Sequence, residues 1–181
     1  MVVLMWAVEA VDLAGAHLDA NGIRPRDPGA LDGIAFAPFL HAGFGHLLGN
    51  TISFLVLGAT IALRGLARIA GVTAIVGVVG GLGTWLTGPA NTVHIGASGL
   101  VFGFAAYLVA RGVSTRRALD LLLALAVVGL FGTTLLFGLV PTSGVSWQGH
   151  LFGLLGGLVA ARVLHGRRRA TPSVAVRPAG F

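Results

Sequence analysis

The hydropathy pattern of this chain leaves few folds open. Six apolar stretches, roughly Met1–Leu18, His46–Leu63, Ile69–Leu86, Val93–Ala110, Ala118–Leu139 and Trp147–Leu164, take up most of its 181 residues, and only 10% of the residues are charged. A soluble domain carries about 25% charged residues, and mean hydropathy here is +0.90. Crossing ~30 Å of hydrocarbon takes ~20 mostly apolar residues as helix. Strands of a membrane barrel would instead read as alternating segments of ~10 residues, which these continuous Leu/Val/Ala/Gly runs are not. The predicted fold is an all-α, polytopic membrane protein: a six-helix transmembrane domain over residues 1–165, then a disordered basic tail at 166–181. The longest connection, 19–45, carries the turn signals Asn21-Gly22, Pro25, Asp27-Pro28-Gly29 and Pro38 and reads as an ordered surface loop.

The charges set the orientation. There are twelve arginines, no lysine and six acids, for a net charge of +6. Ten arginines (Arg64, Arg68, Arg111, Arg116, Arg117, Arg162, Arg167, Arg168, Arg169 and Arg177) fall on one side of the predicted bundle. The positive-inside rule makes that side cytoplasmic, with both termini inside. The 19–45 loop, the Gly88–Asn91 turn and the Pro141–Gly144 turn then face outside. Arginines in short loops and a tail are topology signals that face anionic lipid rather than a nucleic-acid site, despite a pI of 11.7. The absence of cysteine excludes thiol catalysis, disulfides and thiolate metal sites. No cleavable signal peptide is expected, because the first apolar stretch starts at Met1 without a basic leader and carries Glu9 and Asp12.

Three of the predicted spans run inward and end at an arginine. Ser98 lies 13 residues before Arg111, His150 lies 12 before Arg162, and Asn50 lies 14 before Arg64. At ~1.5 Å per residue these stand about 20, 18 and 21 Å from the cytoplasmic boundary, with His46 one turn higher at about 27 Å. A serine, a histidine and an asparagine thus share one depth. Gly99 and Gly103 on one span, and Gly149, Gly153 and Gly157 on another, form small-residue faces that let membrane helices pack backbone to backbone. Packing these seams together brings Ser98 and His150 near each other.

That combination points to nucleophilic chemistry. A serine hydroxyl needs a base to become a useful nucleophile, and a neutral His150 can take its proton and return it to a leaving amine. No carboxylate lies at that depth on these spans, which favours a dyad over a triad. The Ser98 backbone N–H, the Asn50 amide and His46 are candidate donors to a developing oxyanion. Gly96 and Gly99 beside Ser98 permit a tight loop and close approach of a substrate.

Three blocks resemble the rhomboid family of intramembrane serine proteases: His46-Leu47-Leu48-Gly49-Asn50, Gly96-Ala97-Ser98-Gly99, and His150-Leu151-Phe152-Gly153 followed by Gly157. The resemblance covers nearly the whole chain and matches the bacterial six-helix core in order and spacing. It implies cleavage of membrane-anchored proteins within or beside their transmembrane helix. It makes Ser98 the nucleophile, His150 the general base, and His46, Asn50 and the Ser98 N–H the oxyanion hole. Phe102 stands where some relatives carry a tyrosine that stacks on the histidine, and Gly153 and Gly157 support the site. The chain departs from many relatives in lacking a Trp-Arg pair between residues 19 and 45. The implied setting is a bacterial cell membrane, with the site opening to the extracytoplasmic side. The implied partners are transmembrane protein substrates and the lipid bilayer. No cofactor or metal is expected, and no oligomeric state is specified.

Two other readings compete. One is a proteolytically silent protein of this fold that binds client helices. The other is a small proton-coupled transporter using Glu9, Asp12 and the histidines, since intramembrane acids are functional candidates. The chain has no HExxH and no GxGD motif, which disfavours metallo- and aspartyl intramembrane proteases. His41 and His94 read as loop or interface residues.

Overall fold

The computed structural model describes residues 1–165, so the tail expected at 166–181 lies outside the described residues. The α-helices of the described chain are α1 Val2–Val11, α2 Gly33–Phe36, α3 Phe44–Ala62, α4 Leu66–Thr87, α5 Ser98–Thr115, α6 Ala118–Phe137 and α7 Trp147–His165.

Four of these, α3 to α6, are long and apolar enough to cross a membrane, so the sixfold expectation is not met by length and composition alone. α1 has only ten residues and continues as a π-helical turn, Asp12–Ala16, that ends on Gly15 at φ 101° and His17 at φ 51°. Glu9, Asp12 and Gly15 interrupt what the sequence presented as one span. α7 has 19 residues, but Gln148 and His150 in its first turn and Arg162 in its last dilute its apolarity. A second correction concerns α5, which was expected to start near Val93. It starts at Ser98, because Gly96 at φ 107° turns the chain just before it. It then runs past Arg111, which is buried inside the helix rather than marking its end.

α5 is the central helix: 56% of its span is buried, against 17% for α6. α7 lies against both α4 and α5, and glycine sets how closely. A β-carbon at Gly99 would lie 3.1 Å from the Gly149 carbonyl oxygen, and one at Gly103 would lie 2.9 Å from that of Gly153. β-carbons at Gly153 and Gly157 would run into the carbonyls of Gly99 and Gly103. On the α4 side, a β-carbon at Gly156 would lie 2.9 Å from the Val76 Cα, and Gly83 makes room for the Phe152 ring. Below these seams, Tyr107, Phe104, Leu57, Ile61, Val72 and Val76 form the core. Large apolar side chains such as Leu122, Leu125, Leu130, Leu136 and Phe137 on α6 remain exposed. So much bare apolar surface belongs in lipid, not water, and the chain is a multi-pass membrane protein.

The end opposite Ser98 is closed by charge. The buried Asp120 carboxylate pairs with Arg64, receives the Arg111 Nε–H at 3.2 Å and accepts from the Thr115 hydroxyl at 2.8 Å. Arg68 donates to the Leu164 carbonyl near the end of α7. A carboxylate buried without such partners would be very costly in hydrocarbon.

The 19–45 connection has short helical elements of its own. Three 3₁₀ turns and α2 build it, and it is sewn to the strand-like segment before Ser98. Ile23 and His94 exchange both backbone hydrogen bonds at 2.9 Å, and the Gly96 N–H reaches the Ala37 carbonyl at 2.8 Å. The Ala97 N–H donates to His41 Nε2 at 3.3 Å, which requires a neutral His41. Burial, with His46 alongside, pushes its pKa from 6.5 down to about 4.

Two predictions follow from the packing and the loop. Gly157→Ala should cost about 1–3 kcal/mol, the scale of overpacking. Gly129→Ala, with nothing within 4 Å of the new β-carbon, should be neutral or gain up to about 1 kcal/mol. Thermal unfolding in detergent separates them, and equal shifts would contradict the seam. Between pH about 6.5 and about 4, the unfolded chain protonates His41 while the folded one does not. Stability from this group is therefore full above that window and is lost as the pH falls through it. The Tm advantage of wild type over His41→Leu should shrink across that range, and a constant difference would refute the tether.

Candidate functional site

Ser98 is the first residue of α5. The first four N–H groups of a helix have no intrahelical acceptor and carry the positive end of the helix dipole. The serine hydroxyl and its own backbone N–H therefore stand together at an anion-attracting helix start. Gly96 delivers the chain to this point. Its φ of 107° suits glycine, and a β-carbon there would lie 2.9 and 3.0 Å from His46 Cε1 and Nε2.

His150 sits in the first turn of α7. Its Nε2 is 2.8 Å from Ser98 Oγ, and its Nδ1 is 2.6 Å from the Gly138 carbonyl oxygen. A carbonyl can only accept, so Nδ1 carries the proton. In the neutral ring Nε2 is then the acceptor, and Ser98 donates its hydroxyl proton to it. The tautomer is set by a backbone carbonyl in the place where a triad would have an acid. The Phe102 ring stacks on His150 at 4.1 Å and 9°, and it projects from α5 one turn after Ser98. Gly138 must lack a side chain: a β-carbon would strike the Phe102 ring and lie 3.0 Å from His150 Nδ1.

His46 and Asn50 lie one turn apart on α3. The Ala42 N–H donates to His46 Nδ1 at 3.4 Å, which leaves the proton on Nε2, the nitrogen that stands over Gly96. Asn50 Nδ2 donates to the His46 carbonyl at 3.0 Å, so one of its two N–H bonds is spent within its own helix. Ser98, His150, His46, Asn50 and Phe102 all line one cleft of about 1190 Å³, with Gly138, Thr142, Ser143 and Gln148 on the α6–α7 side. Gly99, Gly153 and Gly157 lie behind the pair in the α5–α7 seam.

Glu9 and Asp12 do not line that cleft. Asp12 accepts from the backbone N–H groups of Leu18 and Asp19, and Glu9 is buried. No cluster of three or more His, Cys, Asp or Glu suited to a metal ion is found among the described residues.

Three contributors escaped the sequence reading. The Gly138 carbonyl and the Ala42 N–H are backbone groups, and backbone groups leave no signature in side-chain identity. His94 was expected to be a loop or interface residue. It is in a loop, but buried, with Nδ1 2.7 Å from Ser146 Oγ and Nε2 3.0 Å from Thr92 Oγ1.

Known proteins resemble this chain in sequence. The Rhomboid domain family model matches residues 28–167. An uncharacterized protein of Mycobacterium tuberculosis strain H37Rv is 47% identical over 178 residues, covering 93% of this chain and 74% of that protein. Two Bacillus subtilis proteins carry the rhomboid protease name. YdcA is 39% identical over 66% of this chain and 60% of its own length, and GluP is 28% identical over 69% of this chain and 24% of its own length. By the extent of the family match, joined to the helix order and the serine at the head of the central helix, this chain belongs to the rhomboid family.

Proposed function

We propose that this chain is an intramembrane serine endopeptidase that cleaves membrane-anchored proteins within or beside their transmembrane helix, with Ser98 as nucleophile and His150 as general base. The observation that carries this reading is the 2.8 Å contact between Ser98 Oγ and His150 Nε2, with the histidine tautomer fixed by Gly138.

Ser98 Oγ attacks the scissile carbonyl carbon as its proton passes to His150 Nε2. The imidazolium keeps its Nδ1–H bond to the Gly138 carbonyl and lies against the Phe102 face, which favours a cation. The negative charge on the carbonyl oxygen meets the Ser98 N–H and the His46 Nε2–H, with the second Asn50 N–H as a further donor. On collapse, the C–N bond breaks and His150 gives the proton to the leaving amine. Water then attacks the acyl-serine ester and passes its proton to His150, which returns it to the departing Ser98 oxygen, leaving a carboxyl product and free Ser98.

Around this site we propose the full six-span arrangement, with α1 and α7 completing the bundle. Gln148 and His150 in α7 are buried against neighbouring helices rather than facing lipid. The arginine-rich end, with Arg64, Arg68, Arg111, Arg116 and Arg117, faces the cytoplasm of a cell membrane, and the Ser98 end opens to the opposite side.

A fluorophosphonate probe should label the wild type in detergent and not Ser98→Ala. His150→Ala should slow labelling by ~10²–10⁴-fold. Equal labelling of wild type and Ser98→Ala would end the nucleophile assignment, and no labelling of wild type would favour a silent, client-binding protein. A reporter fused after Phe181 should read as cytoplasmic, and an extracytoplasmic signal would reverse the orientation.

A further inference from the structure

A second serine–histidine pair crosses the same gap as the first. His94 lies four residues before Ser98 and Ser146 lies four before His150, and their side chains meet at 2.7 Å. The hydrogen-bond directions are fixed. The Thr92 hydroxyl donates its one proton to the Pro89 carbonyl at 2.7 Å, so it can only accept from His94 Nε2 at 3.0 Å. Nε2 therefore carries the proton, Nδ1 is the acceptor, and Ser146 donates to it.

Both partners are held from behind. His94 exchanges two backbone bonds with Ile23, and the ring edge lies where a β-carbon at Gly88 would be 2.8 Å from Nε2. Ser146 gives its carbonyl to the His150 N–H at 3.1 Å, and its Oγ would lie 2.9 Å from a β-carbon at Gly149. The pair joins the segment that delivers Ser98 to the start of the helix that delivers His150.

We infer that His94 and Ser146 form a positioning clamp that sets the separation of Ser98 and His150. The inference rests on reading those two as a catalytic pair. The glycine seam sets how near α5 and α7 come. The clamp adds a polar cross-link at the cleft end, one turn before each member of the pair. A misplacement of ~1 Å in a reacting pair costs on the order of 10²-fold in rate. Protonation of His94 would not open the clamp, since the Ser146 hydroxyl could turn and accept instead. The device is therefore steric and directional rather than a pH switch.

The test is steady-state cleavage of a transmembrane substrate by Ser146→Ala, His94→Leu and the double variant, with His94→Asn as the conservative change. Asn retains an acceptor near the Nδ1 position. Each single loss should lower kcat by ~10–100-fold with KM nearly unchanged, and the double should be little worse than either single, as expected for partners acting as a unit. His94→Asn should recover most of kcat. A merely structural role would lower Tm but leave kcat per folded molecule intact, and that result would overturn the clamp, as would additive singles. A second readout is independent of turnover: ¹⁵N-histidine spectra of the full chain in detergent. In wild type, His150 should be protonated at Nδ1 and His94 at Nε2. Ser146→Ala should disturb the His150 signals, and an unperturbed His150 would also overturn the proposal. If wild type showed no turnover and no probe labelling, the protease reading would fail, while the spectra would still decide the clamp.

Discussion

The close approach of α5 and α7 is the constraint on which the rest of the structure depends. Apolar side chains gain little by meeting in lipid, where hydrocarbon already surrounds them, so helices associate through close packing and polar contacts. Gly99, Gly103, Gly153 and Gly157 remove the side chains that would hold the backbones apart, and each glycine faces a carbonyl of the other helix. Only at that separation can Ser98 Oγ reach His150 Nε2 at 2.8 Å. The same helix, α7, takes α4 on its other side through Gly156 and through Phe152 set into the space at Gly83. Gly99, Gly103, Gly153, Gly156 and Gly157 thus stand where backbone meets backbone.

Many of the polar groups in the bundle gather at its two ends, bonded in place. Asp120, Arg111, Arg64 and Thr115 form one linked set at one end. His41, His46, His94 and His150 gather at the other, each with at least one ring nitrogen bonded to a backbone or hydroxyl group. The arginines that looked like free boundary markers in the sequence are partly structural. Arg64 and Arg111 hold the carboxylate that ties α3, α5 and α6 together. Ser98, His150 and Asn50, which the depth arithmetic set level, line one cleft.

Much of this was legible beforehand, for identifiable reasons. Long apolar runs specify helices, and α3, α4, α6 and α7 begin and end within a few residues of where hydropathy put them. The level of Ser98 and His150 followed from helical rise, and their lateral approach from the glycine spacing. Less visible was anything decided by backbone geometry. Gly96 breaks the expected fourth segment and moves Ser98 from the interior of a span to the first position of α5. That shift gives the Ser98 N–H its freedom to act as a donor. The first segment failed as a single helix because two acids and a glycine outweigh its average apolarity. The Gly138 carbonyl had no signal at all.

The histidines at the Ser98 end also differ in a way that sequence cannot encode. His150 is anchored through Nδ1 and turns Nε2 to a serine, whereas His94 is anchored through Nε2 and turns Nδ1 to a serine. The anchor decides which nitrogen accepts, and so which serine has its proton drawn away. For His150 the anchor is the carbonyl of Gly138, the residue just after α6, so the ring is held from outside α5 and α7. For His94 the anchor is Thr92, two residues away in the same loop, so the ring moves with the segment that ends at Ser98. A base must hold its direction while its partner reacts, and a cross-link must travel with what it links. The two anchors differ in just that respect, which separates the proposed base from the proposed clamp although both are serine–histidine pairs.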